Sequence, residues 1–203
     1  MLTKLSAFLG LPSGYRIFQQ LVGAESAWRT YLENYAKPVS GDKMLDIGCG
    51  PADVLKHLPA VNYTGLDISP EYINAAKKRF GSKGRFFCND VGLAKIEGEE
   101  GTFDLVITVG VIHHLNDAQA ASMFALARRV LRPGGRLVTY DGCYLAGQSP
   151  VVRWLLANDR GKFVRTREEY LRLASASFSN IETYIRHDLL RIPYTHLIMR
   201  CTA

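Results

Sequence analysis

The sequence predicts an α/β protein built on a parallel sheet with helices on both faces, and three observations point there. From Lys43 onward, short apolar runs alternate with stretches of helical periodicity, the pattern of successive βαβ units. The first run, Met44-Leu45-Asp46-Ile47, passes into Gly48-Cys49-Gly50-Pro51-Ala52, a strand ending in a tight glycine turn. Acidic residues recur just after the next strands, at the carboxyl ends where open α/β sheets bind ligands. With 203 residues the chain has room for one domain with a sizeable core, not for two of ordinary size.

The first forty residues read as helices. Tyr15, Phe18, Leu21 and Val22 recur at helical spacing, and after Gly23 a second pattern runs through Ala27, Trp28, Tyr31, Leu32 and Tyr35 until Pro38 stops it. Strands follow at Met44–Ile47, Tyr63–Leu66, Arg85–Cys88, Asp104–Val109 and Arg136–Tyr140. Between them, helices are expected after Ala52, from Pro70 to Phe80 with Ser69 as cap and Pro70 in the first helical position, and from Asp117 to Leu131. Leu131-Arg132-Pro133-Gly134-Gly135 is ordinary helix-stop and turn chemistry. Beyond it come helices near Pro150–Leu156 and Thr166–Ala174, the second capped by Thr166 with Glu169 three residues on. Two β-type runs, Asn180–His187 and Tyr194–Cys201, close the chain.

Composition narrows the classes. A hydrophobic fraction of 47% beside 22% charged residues suits a packed soluble domain, and no apolar run reaches the roughly 18 residues that span a bilayer. Met1 to Gly10 lacks a convincing cleavage site, so a cytoplasmic location is expected. Cys49, Cys88, Cys143 and Cys201 are far apart and share no metal or redox spacing, which favours reduced thiols. The net charge of +6 lies wholly in the flanks: residues 41–150 hold 12 basic and 12 acidic side chains. A solvated basic face accounts for that excess, and an anionic acceptor would also use it. Arg153, Arg160, Lys162, Arg165 and Arg167 cluster where such an acceptor would be sought.

The glycine turn reads as a ligand cradle. Gly48 and Gly50 remove side chains that would hold a ligand off the backbone, and a following helix would aim unpaired N–H groups at the same place. Asp46 discriminates between ligands. A dinucleotide pyrophosphate would be repelled there, whereas the ammonium and sulfonium of S-adenosylmethionine would be attracted. Asp53 also stands where the third glycine of G-x-G-x-x-G belongs. Asp67, 21 positions after Asp46, can accept both hydroxyls of a ribose, and Asp90 can accept from an adenine amino group.

Together LDIGCGPA, Asp67-Ile68, Asn89-Asp90-Val91 and Phe103–Leu115 resemble the motifs of the class I S-adenosylmethionine-dependent methyltransferases, over roughly Lys43 to Asp141. The chain departs from them at Ala52, where a third glycine is common. The resemblance implies a Rossmann-like, seven-stranded, mostly parallel sheet with an antiparallel C-terminal hairpin. It divides the domain into a helical cap (1–40), a cofactor core (41–141) and acceptor-side helices with the hairpin (142–203). It implies that Asp46, Gly48, Cys49 and Gly50 hold the methionine part, Asp67 the ribose and Asp90 the adenine, with Ile68 and Val91 packing on the ring and Val109 where the sheet meets the methyl group. In that family, helices before the first strand also shape the acceptor pocket, which makes Tyr15 and Arg16 candidates.

The reaction needs little from the protein beyond alignment and exclusion of water, because the sulfonium already activates the methyl group. A base is optional. His114, and less so His113, could remove a proton from the acceptor, while His-His-Leu also serves packing. Adjacent histidines cannot share a face, so no metal is expected. Asp141 and Tyr144 are pocket candidates without a role. The expected partner is a small-molecule acceptor, anionic or aromatic, with no nucleic acid. An RNA methyltransferase and a non-catalytic protein retaining the cofactor fold are the competing readings, and a nicotinamide oxidoreductase is disfavoured by Asp46 and Asp53.

Overall fold

The computed structural model describes residues 23–90, 99–159 and 161–203. Its first element is helix α1 (Ala24–Tyr31), which continues as one π-helical turn, Leu32–Ala36. Lys37 ends it in the left-handed region at φ 47°, and Pro38 follows. The exposed carbonyls of that end are not left to water: the Arg136 guanidinium donates to Ala36 O and Lys37 O.

Strands β1 (Lys43–Ile47), β2 (Asn62–Asp67), β3 (Gly84–Cys88), β4 (Phe103–Val109) and β5 (Leu131–Tyr144) are mutually parallel. Helix α2 (Pro70–Phe80) joins β2 to β3, and α3 (Asp117–Val130) joins β4 to β5. Both start as their sequences dictate. The Ser69 hydroxyl accepts from Tyr72 N, and Asn116 with Gln119 forms a capping box. Helix α4 (Pro150–Ala157), the two-residue strand β6 (Arg165–Thr166) beside β5, and helix α5 (Arg167–Ser175) with its Thr166–Glu169 capping box follow. Strands β7 (Asn180–Arg186) and β8 (His196–Thr202) are antiparallel, and β8 lies between β5 and β7. The main sheet therefore runs β3-β2-β1-β4-β5-β8-β7, seven strands with an antiparallel C-terminal pair.

Successive residues of the central strands are buried on opposite faces, which is why they read as continuous apolar runs. Leu45, Val106, Leu137 and Leu197 face Met123, Phe124 and Ala127 of α3 and Tyr170 and Leu173 of α5. Met44, Leu105, Val138 and Ile198 face Tyr31 of α1 and Ile73, Ala76 and Phe80 of α2. The aromatic stripe of α1 is thus core: Tyr31 is fully buried and donates to Val138 O across 107 positions of sequence.

Two expectations need correction. The helix expected after Ala52 is a single 3₁₀ turn, Asp53–Lys56. Only five residues separate that turn from β2, and Pro59 sits among them, so a longer helix has no room. The fifth strand begins at Leu131 rather than Arg136, because the Pro133-Gly134-Gly135 turn is accommodated as a register shift against β4 between Phe103 and Leu105. The first helical pattern, Tyr15 to Val22, lies outside the described residues, as do Val91 and Arg160.

Candidate functional site

The glycine turn carries three consecutive demands for a left-handed backbone at alternate positions: Gly48 at φ 75°, Gly50 at 54° and Ala52 at 57°. Glycine meets the first two without strain, and the alanine that replaces the family's third glycine bears its methyl group in full burial. The two glycines do different work. A Cβ at Gly48 would come within 2.3 Å of Val111 Cγ2, whereas one at Gly50 would meet no atom of the described residues within 4 Å. Gly48 is required by packing, and Gly50 faces open space.

The turn's amides are not left unpaired for a ligand, the expectation from the sequence, but are bonded within the protein. Gly48 N and Cys49 N both donate to Leu66 O, at 2.8 and 2.9 Å, and Gly50 N donates to Asp67 Oδ2 at 2.8 Å. With no α-helix behind it, the turn lacks the positive end that would receive a pyrophosphate. What it presents instead is carboxylate. Asp46 is 3% exposed and accepts a 2.6 Å bond from the Tyr63 hydroxyl, the partner that sequence reading missed. Burial pushes its carboxyl up to about 7, the Tyr63 bond acting against that and nearby Asp67 adding to it. Burial likewise pushes the Cys49 thiol well above its ordinary range, helped by Asp46 and Asp67.

Asp67 closes β2 and ties its neighbours together. Its second oxygen accepts from Ser69 N at 2.8 Å, and its carbonyl accepts from Asn89 N, which draws the Asn89-Asp90 loop beside it. Ile68 stands 67% exposed next to it, an apolar face without protein covering. Asp90 is half-buried on the same rim, and Val91 is outside the described residues.

At the end of β4, half-buried Val109 leads into Gly110, whose N donates to Tyr140 O of β5 at 2.7 Å. The 3₁₀ turn Ile112–His114 then separates the two histidines. His114 is exposed, while the His113 ring is buried with Nδ1 2.8 Å from Asp141 Oδ1 and Nε2 3.6 Å from Asp159 Oδ1. Desolvation opposes a charge on that ring, but the bond and charge of Asp141 and the charge of Asp159 prevail and raise its pKa. Asp159 in turn accepts a 2.5 Å bond from the Tyr194 hydroxyl, and the His196 ring stacks on Tyr140 at 4.5 Å and leans on Tyr194 at 4.7 Å. Asp159, Tyr194 and His196 carried no signal in the sequence, since each reaches His113 or Tyr140 only through the fold.

Residues 44–135 match the model of a methyltransferase domain family. That match spans 92 of the 203 residues and agrees with the resemblance of the same stretch to the class I S-adenosylmethionine-dependent methyltransferases. Among curated relatives, it is 30% identical over 128 residues to a malonyl-[acyl-carrier protein] O-methyltransferase of Paenibacillus sp. (strain JDR-2), covering 59% of this chain and 46% of that protein. It is 31% identical over 126 residues to a ubiquinone/menaquinone biosynthesis C-methyltransferase of Desulfotalea psychrophila, covering 59% and 49%. The chain thus spans about half the length of these two relatives or slightly less. Among solved structures, geranyl diphosphate C-methyltransferase from Streptomyces coelicolor A3(2), in complex with Mg2+, geranyl diphosphate and S-adenosyl-L-homocysteine, superposes with a TM-score of 0.66 at 16% identity over 88% of this chain and 80% of that one. A Haemonchus contortus phosphoethanolamine N-methyltransferase 2 in complex with S-adenosyl-L-methionine does so with 0.69 at 15% identity over 86% and 51%. The fold is that of S-adenosylmethionine-binding methyltransferases. In this methyltransferase fold the matched segment contains β1 to β4 and the first residues of β5, hence the glycine turn, Asp67, Asp90 and both histidines.

Proposed function

We propose that this chain transfers a methyl group from S-adenosylmethionine to a small-molecule acceptor. The observation that carries the reading is the carboxylate-lined, open-faced glycine turn: Asp67 bonds Gly50, Asp46 acts on Asp67 and Cys49, and the outer face of Gly50 meets no atom of the described residues. A phosphate-bearing cofactor would find two carboxylates and amides already bonded, whereas a cofactor with an ammonium and a sulfonium finds its counter-charges. Asp46 and Gly48 to Gly50 would hold the methionine part. Asp67 would take the ribose hydroxyls, Asp90 the adenine, and Ile68, with Val91, the ring. Val109 would lie beside the methyl group.

The basic cluster is divided by the fold among the described residues: Arg165 is buried against Asp117 and three carbonyls and Arg167 donates to Thr183 Oγ1, while Arg153, over the Tyr144 ring, and Lys162 are exposed. An uncharged, aromatic or apolar acceptor fits the aromatic surroundings better. No helix among the described residues is long and apolar enough to cross a membrane.

Calorimetric titration with S-adenosylhomocysteine tests the cofactor assignment. Micromolar binding is expected, with at least about a tenfold loss in Asp67→Ala, since two ribose hydrogen bonds to a charged group are removed. NAD should not bind. Failure of S-adenosylhomocysteine to bind, or a preference for NAD, refutes the proposal.

A further inference from the structure

Resting on the methyl-transfer reading, we propose that the acceptor enters as a neutral hydroxyl compound, and that Asp141 takes its proton while His113 and Asp159 carry that proton toward solvent. The geometry begins at Asp141, which is 3% exposed at the carboxyl end of β5. Its Oδ1 accepts from His113 N and lies 2.8 Å from His113 Nδ1, yet its Oδ2 is buried with no partner among the described residues. A buried carboxylate oxygen without a donor is costly, and a ligand hydroxyl is the group that would satisfy it.

Two more polar atoms nearby are in the same condition. Tyr140 Oη and His196 Nδ1, on the stacked rings of β5 and β8, are buried without partners among the described residues, and His196 is 5% exposed. Among the described residues, three polar atoms around one strand end thus lack a partner. The backbone of Tyr140 is tied to Gly110 N, where β4 ends and where the reading above puts the methyl group.

The path outward is continuous. His113 bridges Asp141 on Nδ1 and Asp159 on Nε2, and the Asp159 side chain is 26% exposed. Other titratable or charged groups face this chain of residues: Tyr194 bonds Asp159, Tyr31, Tyr140 and Tyr170 sense the Asp141 charge, His196 and His114 lie alongside, His187 acts on His196, Arg186 acts on Tyr140 while bonded to Asp188, and Arg165 holds Ile112 O. Burial drives His196 down to about 3, so it stays neutral, and the raised pKa of His113 suits a residue that holds a proton in transit. With two carboxylates and no uncommitted cation among the charged groups just named, the pocket repels an anion and accepts a donor.

The step balances. The acceptor oxygen attacks the methyl carbon, the C–S bond breaks with its electron pair returning to sulfur, and S-adenosylhomocysteine forms. The hydroxyl proton passes to Asp141 Oδ2, and the relay releases it through Asp159. His113 is a positioning residue here, acting through Asp141.

The test uses S-adenosylmethionine with a series of substituted phenols graded from weakly acidic ones to nitrophenols already ionised at neutral pH. Asp141→Asn should lower kcat by about 100-fold or more on the weakly acidic phenols, while the ionised ones, which the carboxylate repels, should lose little in kcat and show a lower KM, with S-adenosylhomocysteine affinity unchanged. His113→Asn should displace the acidic limb of the pH–rate profile with weakly acidic phenols, which a purely structural histidine would not do. Equal losses on both classes, no loss, or methylation of carboxylates or phosphates but of no phenol would overturn the proposal; so would turnover of no acceptor by a protein that still binds S-adenosylhomocysteine. Absence of S-adenosylhomocysteine binding would instead refute the underlying methyl-transfer reading.

Discussion

Burial on the α1–α2 side of the sheet keeps the Asp46 carboxyl protonated up to about pH 7, although the Tyr63 hydroxyl donates to it. In the unfolded chain the same group loses its proton near pH 4. Between those values the folded state binds more protons, so Asp46 makes the ligand-free protein less stable as pH rises through that window. Asp46→Asn keeps a side-chain partner for Tyr63 and removes the charge. It should raise the melting temperature of the ligand-free protein at pH 8, change it little at pH 5, and weaken S-adenosylhomocysteine at least about tenfold by removing the counter-charge for its ammonium. Melting curves at the two pH values with titrations at pH 8 check this; an unchanged melting temperature at pH 8 would mean that the carboxylate is well solvated. The type and place of Asp46 were legible from the sequence, because an acid before a glycine turn is a local pattern. Its partner was not, since Tyr63 meets it only once β1 and β2 pair in register, Met44 beside Tyr63 and Asp46 beside Gly65.

Helix starts were the most legible elements, and for a physical reason: a cap is a contact between residues three apart. Ser69, Thr166 and the Pro70 to Phe80 span stand where the sequence puts them. Arg165 shows the opposite case. In the sequence it belongs to a run of basic residues; in the fold its guanidinium donates to Asp117 Oδ1 and to the carbonyls of Ile112, Leu115 and Phe163. It thereby pins β6, the His113 turn and the first residue of α3 together. Arg165→Lys keeps the charge but cannot reproduce a planar fork that reaches four acceptors. Leaving the carbonyls short of donors should cost about 2–3 kcal/mol, seen as a lower denaturant midpoint at unchanged m-value. The Asp117 pair contributes little to that figure, because Asp117 is mostly exposed and bonded to Arg172 as well.

At the scale of the molecule, β5 is the hub: β4, β8 and β6 all pair with it. The last strand to be made is therefore interior to the sheet. β8 buries Leu197, Ile198, Met199 and Cys201 between the two helical layers, and His196 at its start belongs to the acceptor-side cluster. A chain ending at Thr195 would lose four buried side chains, each worth a few kcal/mol, against a total stability of about 5–15 kcal/mol. It would also expose the edge of β5. Such a chain should show no cooperative thermal transition and should aggregate. A cooperative transition within a few degrees of the full chain's would refute the hub role of β5 and β8.

What the sequence by itself determined is everything carried by short-range pattern: the alternation of strand and helix, the caps, the glycine turn, and the acids at strand ends that resemble the methyltransferase motifs. What only the tertiary structure decided is which groups meet across the sheet. The helix expected after Ala52 shrank to one turn because the chain must reach β2 within a few residues. The basic cluster was divided between structural bonds and solvent, and His113 was set between carboxylates from β5 and from the loop after α4 while His114 was left outside. His113 meets Asp141 across 28 positions and Arg165 meets Asp117 across 48, contacts whose energies no local window contains.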